Sequence, residues 1–194
     1  MFFTTGLKAL AILFCTTLKI ANAATWTPLS VAGVSVPAAG TRFYMNDGKG
    51  NIQEIGNGAA NSNNPPSFDT WANGPGTVNF APFGVVNVAP ASDVASVSYA
   101  FNGQPDKTRV FYQTTDGSIR VVTCCQTPEW VVDPTILAVA PLGVRISAFY
   151  ASDTAGTAIV LVSWQNALGQ LTERWTTNVT AAAGVWSTPV VIST

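Results

Sequence analysis

The strongest constraint on the fold is a phrase of fifteen residues that occurs twice. TRFYMNDGKGNIQEI spans residues 41–55, and TRVFYQTTDGSIRVV spans residues 108–122, 67 residues further along the chain. Each copy has an Arg, then two aromatic residues, a turn with Asp and Gly, and an Ile ten residues after the Arg. Apolar and polar residues alternate around the turn, as in a β-hairpin with one buried face. The phrase therefore predicts an all-β fold that contains the same hairpin more than once.

Three groups of strands are predicted from this alternation and from the Gly, Asn, Asp and Pro residues between the segments. Each group has four short strands, as in an antiparallel meander. The stretch at residues 56–66, rich in Gly, Asn and Pro, is expected to be a loop. The predicted strands are residues 31–36, 41–46, 51–55 and 68–71 in the first group, 93–101, 108–114, 118–124 and 129–132 in the second, and 144–152, 157–166, 170–176 and 185–190 in the third.

The spacing of the groups predicts the architecture. Arg42 and Arg109 are 67 residues apart, and Leu161, which takes their place in the third group, follows 52 residues later. A period near fifty with four strands per unit is typical of β-propeller blades, about three in this chain. A single blade cannot bury both of its faces, so blades must stack and the ring must close. Three blades are few for a ring, and a homodimer is the simplest way to close it.

The first 23 residues have the features of a secretory signal peptide. Lys8 precedes an apolar stretch at residues 9–18, and Ala21-Asn22-Ala23 follows it. We therefore expect a secreted, extracellular protein with a signal at residues 1–23 and one domain at residues 24–194. The apolar stretch is too short to span a bilayer, and no later stretch reaches that length.

Charge argues against nucleic acid as a partner. The signal would take Lys8 and Lys19 from the nine basic residues and leave ten acidic ones, for a net charge of about −3. No run of Lys or Arg is present to neutralise a phosphate backbone, so nucleic acid is not an expected partner. A membrane is not expected either, because no later apolar stretch reaches transmembrane length. With 47% hydrophobic and 10% charged residues, the chain is suited to a single buried core.

The cysteines leave several states open. Cys15 lies in the expected signal, and Cys124 and Cys125 are adjacent, so a conventional disulfide framework is excluded within one mature chain. The pair is compatible with buried free thiols, with a strained vicinal disulfide, or with pairing to a second chain.

Composition also argues against catalysis. The chain contains no His, which removes the commonest general base and metal ligand. A glycosidase needs two positioned carboxylates, but most of those here follow turn-forming patterns, and Glu54 and Glu173 occupy corresponding places in different groups. We therefore expect neither an enzyme nor a cofactor. The carboxylates considered are Asp47, Glu54, Asp69, Asp93, Asp116, Glu129, Asp133, Asp153 and Glu173.

The first copy of the phrase suggests a family. Its order of Arg, aromatic pair, Asp-Gly turn, Ile, any residue and Glu, with a Trp further on, resembles the blade repeat of fungal fucose-binding lectins of the Aleuria type. The resemblance covers most of residues 26–194 and is strongest at residues 41–55 and 94–131. It implies a β-propeller lectin that binds fucosylated or related glycans in pockets between blades.

In the first copy the resemblance implies a complete pocket. Arg42 and Glu54 would face it together, with Trp71 or a Trp of another blade as the stacking surface. Arg only donates hydrogen bonds and a carboxylate only accepts them, so the pair can orient sugar hydroxyls, while an aromatic face covers the apolar side of the ring. The residues alone leave a second interpretation open, in which Arg42 and Glu54 form a solvated cross-strand ion pair.

The other two copies are incomplete. Arg109 is retained, but Val121 replaces the Glu; Glu173 is retained, but Leu161 replaces the Arg. Three alternatives follow: one site per chain, a divided site whose halves meet at an interface, or vestigial sites on a secreted module that binds another protein. The remaining candidate stacking surfaces, each of which also fits a packing role between blades, are Trp130, Trp175 and Trp186.

Overall fold

The computed structural model describes residues 30–36, 40–56, 77–79, 84–101, 104–124, 130–153, 156–181 and 183–193. These residues form three antiparallel sheets, and no helix occurs among them. The first sheet contains β1 (Val31–Val36), β2 (Gly40–Asn46), β3 (Ile52–Gly56) and β4 (Thr77–Asn79), in that order. The second contains β5 (Val94–Phe101), β6 (Gln104–Gln113), β7 (Ser118–Cys124) and β8 (Val131–Val132), with β9 (Ala138–Val139) also paired to β7. The third contains β10 (Ile146–Ser152), β11 (Ala158–Gln165), β12 (Leu171–Thr176) and β13 (Val190–Val191).

Most predicted strands agree with this order. The all-β class and the antiparallel meanders are confirmed, because alternating side chains and turn residues specify hairpins locally. The fourth strand of the third sheet is shorter than predicted and begins only at Val190. The predicted strand at residues 68–71 lies outside the described residues, and β4 supplies the fourth strand of the first sheet.

The first strands of the three sheets lie side by side. β5 contacts β1 on one side and β10 on the other. The carboxylate of Asp93, just before β5, joins all three strands: it accepts a hydrogen bond from the Ser30 hydroxyl and another from the backbone N–H of Ile146. This arrangement agrees with blades of a propeller, while the closure of a ring and the number of blades stay predictions.

The second sheet is buried on both faces. Successive residues of a strand point to opposite sides, so β6 sends Val110 and Tyr112 toward the first sheet and Arg109 and Phe111 toward the third. Burying each of the large apolar side chains contributes roughly 1.5–3 kcal/mol. The first interface is therefore filled mainly by Tyr44, Ile52, Val85, Val88, Val94, Val110, Tyr112, Val122 and Trp130, and the second by Phe111, Ile119, Val121, Leu137, Ile146, Val160, Val162, Trp164 and Trp186.

In the first and second sheets, a side-chain amide fixes the sheet to the segment that leads into the next one. At the end of β2, Asn46 Nδ2 donates to the carbonyls of Ala89, Pro90 and Ser92 at 2.8–3.2 Å. At the end of β6, Gln113 is fully buried, and its Nε2 donates to the carbonyls of residues 117, 140 and 141, while its Oε1 accepts from the N–H of residue 143. Each amide thus supplies the hydrogen bonds that a buried linker would otherwise lack.

We expect the substitution Gln113→Ala to lower the free energy of unfolding by about 2 kcal/mol, because it leaves buried carbonyls of the linker unpaired. Chemical denaturation measures this change. Gln170→Ala is the matched control: its side chain is only partly buried in a hairpin, and we expect a change below about 0.5 kcal/mol. An equal effect of the two substitutions would contradict the anchoring role.

Candidate functional site

Arg42 and Glu54 lie on neighbouring strands of the first sheet, as predicted. The register sets Tyr44 opposite Glu54, with Arg42 two residues before Tyr44 on β2, so all three side chains share one face. Arg42 Nε lies 3.4 Å from Glu54 Oε1. The side chains are only 21% and 14% exposed, so this is not the solvated ion pair that the residues alone left open.

The second sheet covers the other side of this pair. Tyr44 is buried, and its ring meets the ring of Trp130 edge to face, with 5.7 Å between the centroids. The Tyr44 hydroxyl donates to the Glu54 carboxylate and is also hydrogen-bonded to the Thr108 hydroxyl on β6. The arrangement therefore combines residues of two sheets around a single carboxylate.

Burial raises the pKa of both acids in this cluster. The pKa of Tyr44 rises mainly because the phenol is buried, and further because of the negative charge of Glu54. Burial also raises the pKa of the Glu54 carboxyl, although the charge of Arg42 and the hydrogen bond from Tyr44 act in the opposite direction. On acidification Glu54 is therefore expected to become protonated at a higher pH than an ordinary Glu.

The cluster has the chemical groups that a ligand rich in hydroxyls requires. Arg42 offers a planar set of donors and Glu54 offers an acceptor, while the buried rings of Tyr44 and Trp130 pack beside the pair. Placing charged groups in a mostly buried setting strengthens their hydrogen bonds to a ligand.

The second sheet has the same arrangement without the carboxylate. Arg109 occupies on β6 the register position of Arg42 on β2, and Val121 stands where the carboxylate would be. Phe111 meets Trp186 edge to face at 5.9 Å, as Tyr44 meets Trp130 beside Glu54. The sequence alignment of the two hairpins is thus matched by their pairing registers.

Backbone carbonyls take the place of a ligand at Arg109. The side chain is 1% exposed, and its Nη2 donates to the carbonyl oxygens of Asn178 and Ala181, each at 3.0 Å. Its Cζ lies 5.5 Å from the ring centroid of Trp186. Within the described residues, Nε and Nη1 have no hydrogen-bond partner. Burial lowers the pKa of this guanidinium, and its predicted role in sugar binding stays a prediction.

The third sheet retains the carboxylate but lacks the Arg. Glu173 lies opposite Ser163, and Leu161 lies opposite Trp175. All four side chains are half-buried on one face. Glu173 and Trp175 therefore share a surface, and their predicted contact with a sugar remains untested.

Two further predictions concern Trp71 and the cysteines. Trp71, the predicted stacking surface of the first pocket, lies outside them, and Trp130 is the Trp found beside Tyr44. Cys124 takes part in a disulfide, which excludes the free-thiol state for this residue, and its partner sulfur lies outside the described residues. Among the residues that the structure describes, no group of three or more His, Cys, Asp or Glu is placed to hold a metal, and no helix could cross a membrane.

Sequence reasoning missed the role of Asp133. It was grouped with turn carboxylates, but it is 1% exposed and accepts hydrogen bonds from the N–H of Thr135 and of Gly184, each at 2.8 Å, and from Trp186 Nε1 at 3.2 Å. It thereby holds the segment that carries Trp186 against the second sheet. Tyr44 was also missed, although its alternation with Arg42 placed both on one face.

Comparison with known proteins supports a fold rather than a sequence family. No protein-family model matches the chain, and no curated protein sequence matches it. Among solved structures, AofleA from Arthrobotrys oligospora superposes with a TM-score of 0.61 at 18% identity, over 85% of this chain and 41% of that one. This chain thus spans less than half the length of AofleA.

Two structures of lectins with a bound fucoside are also similar. The SapL1 lectin in complex with α-methyl fucoside has a TM-score of 0.55 at 20% identity, over 84% of this chain and 47% of that one. The fucose lectin from Kordia zhangzhouensis in complex with methyl-fucoside has a TM-score of 0.53 at 12% identity, over 85% of this chain and all of that one. The resemblance noted in the sequence is thus confirmed at the level of structure, and the chain has the fold of the fucose-binding lectins.

Proposed function

We propose that this protein binds fucose-containing glycans in the pocket between its first and second sheets. The observation that carries the proposal is the mostly buried pair of Arg42 and Glu54 beside Tyr44 and Trp130, on a fold shared with fucose lectins. Neither the pair nor the fold would suffice alone, because ion pairs are common and one fold supports many functions.

The chemistry of the pocket fits a sugar. The Arg42 guanidinium donates to ring or hydroxyl oxygens, and the Glu54 carboxylate accepts from hydroxyls on the same face of the sugar. The Tyr44 hydroxyl holds the carboxylate in place, so the acceptor is oriented before the ligand arrives. An aromatic face then covers the apolar C–H surface of the ring.

We propose one functional pocket per chain. At Arg109 the guanidinium is directed to backbone carbonyls, and the third sheet has Leu161 in place of the Arg. The proposed role is binding without catalysis, since lectins are not enzymes. Secretion and pairing into a homodimer, both expected from the sequence, stay proposals as well.

Titration with methyl α-fucoside by calorimetry tests this function. We expect saturable binding with about one site per chain, and Glu54→Gln should weaken it about 10-fold or more, because the acceptor loses its charge while its shape is kept. We also expect wild-type affinity to fall on acidification, beginning at a higher pH than an ordinary Glu would give, since burial raises the pKa of Glu54 and protonation removes the acceptor. The Glu54→Gln protein should lack this pH dependence.

Glu173→Gln is the matched control, because Glu173 has the same register position in the third sheet and should leave affinity unchanged. If a folded protein gives no heat with methyl α-fucoside or with a panel of glycans, the sugar function is wrong. The alternative of a protein-binding module with vestigial pockets would then be favoured, as the incomplete polar pairs of the second and third sheets already allow.

A further inference from the structure

A second cavity lies between the β6–β7 hairpin and the segment at residues 84–88, which leads from the first sheet to the second. Its volume is about 340 Å³, a size typical of small-molecule sites. Tyr112 on its wall lies four residues along β6 from Thr108, which is hydrogen-bonded to Tyr44 of the proposed fucose pocket. Four residues of a strand span roughly 13 Å, so the cavity is separate from that pocket.

Backbone hydrogen bonds hold the two walls of the cavity together. Thr115 N donates to Asn87 O at 2.8 Å, and Val88 pairs with Thr114 in a β-bridge. Val88 N also donates to Gly50 O, in the β2–β3 turn, at 3.1 Å. The segment is therefore fixed to the hairpins of both sheets, and a ligand meets ordered walls, which lowers the entropic cost of binding.

Two side chains of the cavity wall have hydrogen-bonding groups to offer a ligand. Tyr112 lies opposite Arg120 in the register of β6 and β7, and both line the cavity. Tyr112 is 1% exposed, yet no hydrogen bond joins its hydroxyl to another described residue. Arg120 is half-buried and forms neither a hydrogen bond nor an ion pair within the described ranges. Buried polar groups usually have a partner, so both groups indicate a binding site.

Asp116 supplies an acceptor at the exposed edge of the cavity. Its Oδ1 accepts hydrogen bonds from the Thr114 hydroxyl and from Ser118 N, so the carboxylate is oriented by its own turn. The bond from Thr114, with those from Ser118, lowers the pKa of Asp116 to about 2, and the group stays ionised at neutral pH. Burial raises the pKa of Tyr112 to about 12, so its hydroxyl keeps its proton.

The cavity therefore combines donors and acceptors that are not paired with each other. Arg120 only donates, Asp116 only accepts, and the Tyr112 hydroxyl does both. Because Arg120 and Asp116 have opposite charges and form no ion pair in the described structure, a neutral ligand with hydroxyl groups can satisfy both. Val86, which is 51% exposed, and the half-buried Val132 add apolar surface for C–H groups.

The corresponding position of the third sheet is filled by a core residue instead. Trp164 and Thr172 have there the register positions of Tyr112 and Arg120. They are 3% and 5% exposed, and Trp164 belongs to the core between the second and third sheets. The repeated fold therefore does not require an Arg at this position, and the need for Arg120 lies outside packing.

We propose that this cavity is a second carbohydrate site, which binds a neutral hexose unit through Arg120, Asp116 and the Tyr112 hydroxyl. Arg120 donates to hydroxyl oxygens, and Asp116 accepts from a neighbouring hydroxyl. Val86 and Val132 contact the C–H groups of the ring. The site shares no residue with the pocket at Arg42 and Glu54, so it does not depend on the proposed fucose function.

Calorimetry on Glu54→Gln protein, in which the first pocket is impaired, tests this site separately from fucose binding. The probes are the methyl α-glycosides of glucose, galactose and mannose, and we expect at least one to bind with about one site per chain. Arg120→Ala should weaken that binding about 10-fold or more. Arg145→Ala is the matched control, because Arg145 is 86% exposed on another sheet. No binding of the three probes at about 50 mM, or equal binding by folded Arg120→Ala protein, would overturn the proposal.

Tyr112→Phe separates binding from folding. It keeps the ring in the interface and removes only the hydroxyl, so we expect the midpoint of thermal unfolding to stay within about 2 °C while hexose affinity falls about 5-fold. Tyr99→Phe should show the reverse pattern, because it removes the hydrogen bond to Val179 O at 3.0 Å and lies outside the cavity. A Tyr112→Phe protein that is less stable but binds as well as its parent would contradict the role of this hydroxyl.

NMR spectroscopy locates the bound hexose. Amide signals of Thr115, Gly117 and residues 84–88 should shift on titration, while the signal of residue 54 should not. Inorganic phosphate is the competing probe, since a guanidinium also binds anions. If phosphate shifts these signals and none of the glycosides does, the cavity is an anion site and the carbohydrate proposal is wrong.

Discussion

Asp133→Ala is expected to lower the free energy of unfolding by about 4 kcal/mol. The carboxylate accepts hydrogen bonds from Gly184 N and Trp186 Nε1 at the interface between the second and third sheets, and from Thr135 N. Its removal leaves these buried donors without a partner, and each unpaired buried donor costs roughly 1–3 kcal/mol. Chemical denaturation measures the loss. Trp186 fluorescence should report a change near this interface.

The pH dependence of stability provides a second test of the role of Asp133. Burial raises the pKa of Asp133, but the hydrogen bonds from Gly184, Thr135 and Trp186 outweigh it and leave the pKa below its usual value. A lowered pKa means that the stabilisation is present above the pKa of the unfolded chain, about 3.9, and is lost as the pH falls through the folded-state pKa. The difference between wild type and Asp133→Ala should therefore be constant near neutral pH and shrink below about pH 4.

Asp153→Ala is the control for this prediction. Asp153 is exposed and accepts a hydrogen bond from Thr157 N within its own hairpin, so we expect its removal to cost about 1 kcal/mol or less. Similar losses for Asp133 and Asp153 would show that the buried carboxylate has no special role at the interface.

Arg42→Ala is expected to weaken the binding of methyl α-fucoside about 100-fold or more. The substitution removes the donors of the pocket and leaves the buried Glu54 without the positive charge that favours its ionised form, so the pKa of Glu54 should rise further. The ion pair is partly exposed, and its direct contribution to folding should be small, at about 1 kcal/mol or less. Calorimetry and thermal unfolding together separate the two effects.

Arg42→Lys tests whether shape or charge matters. Lys keeps the positive charge but loses the planar arrangement of donors, and we expect affinity between those of wild type and Arg42→Ala. Arg109→Lys should leave affinity unchanged, because Arg109 is directed at the carbonyls of Asn178 and Ala181. Binding of wild-type strength by folded Arg42→Ala protein would exclude this pocket as the sugar site.

Much of the first pocket could be predicted from the sequence. Alternation and turn residues specify hairpins over short distances, so the sequence predicted the pairing of β2 with β3. Because Arg42 and Glu54 are only twelve residues apart in this hairpin, their position on one face could be predicted as well. The fourth strand of the third sheet was predicted less well, because the residues just before Val190 pair with β12 only through the backbone hydrogen bond from Ser187 N to Trp175 O and otherwise bond through side chains.

The sequence by itself determined the all-β class, the order of the hairpins and the correspondence of Arg42, Arg109 and Leu161, because these depend on local periodicity and spacing. Only the tertiary structure decided that Trp130 packs against Tyr44, that the carbonyls of residues 178 and 181 accept hydrogen bonds from Arg109, and that Asp133 is buried. These contacts join residues far apart in the chain, and their energies depend on how one sheet packs against the next. No local pattern of residues encodes that packing.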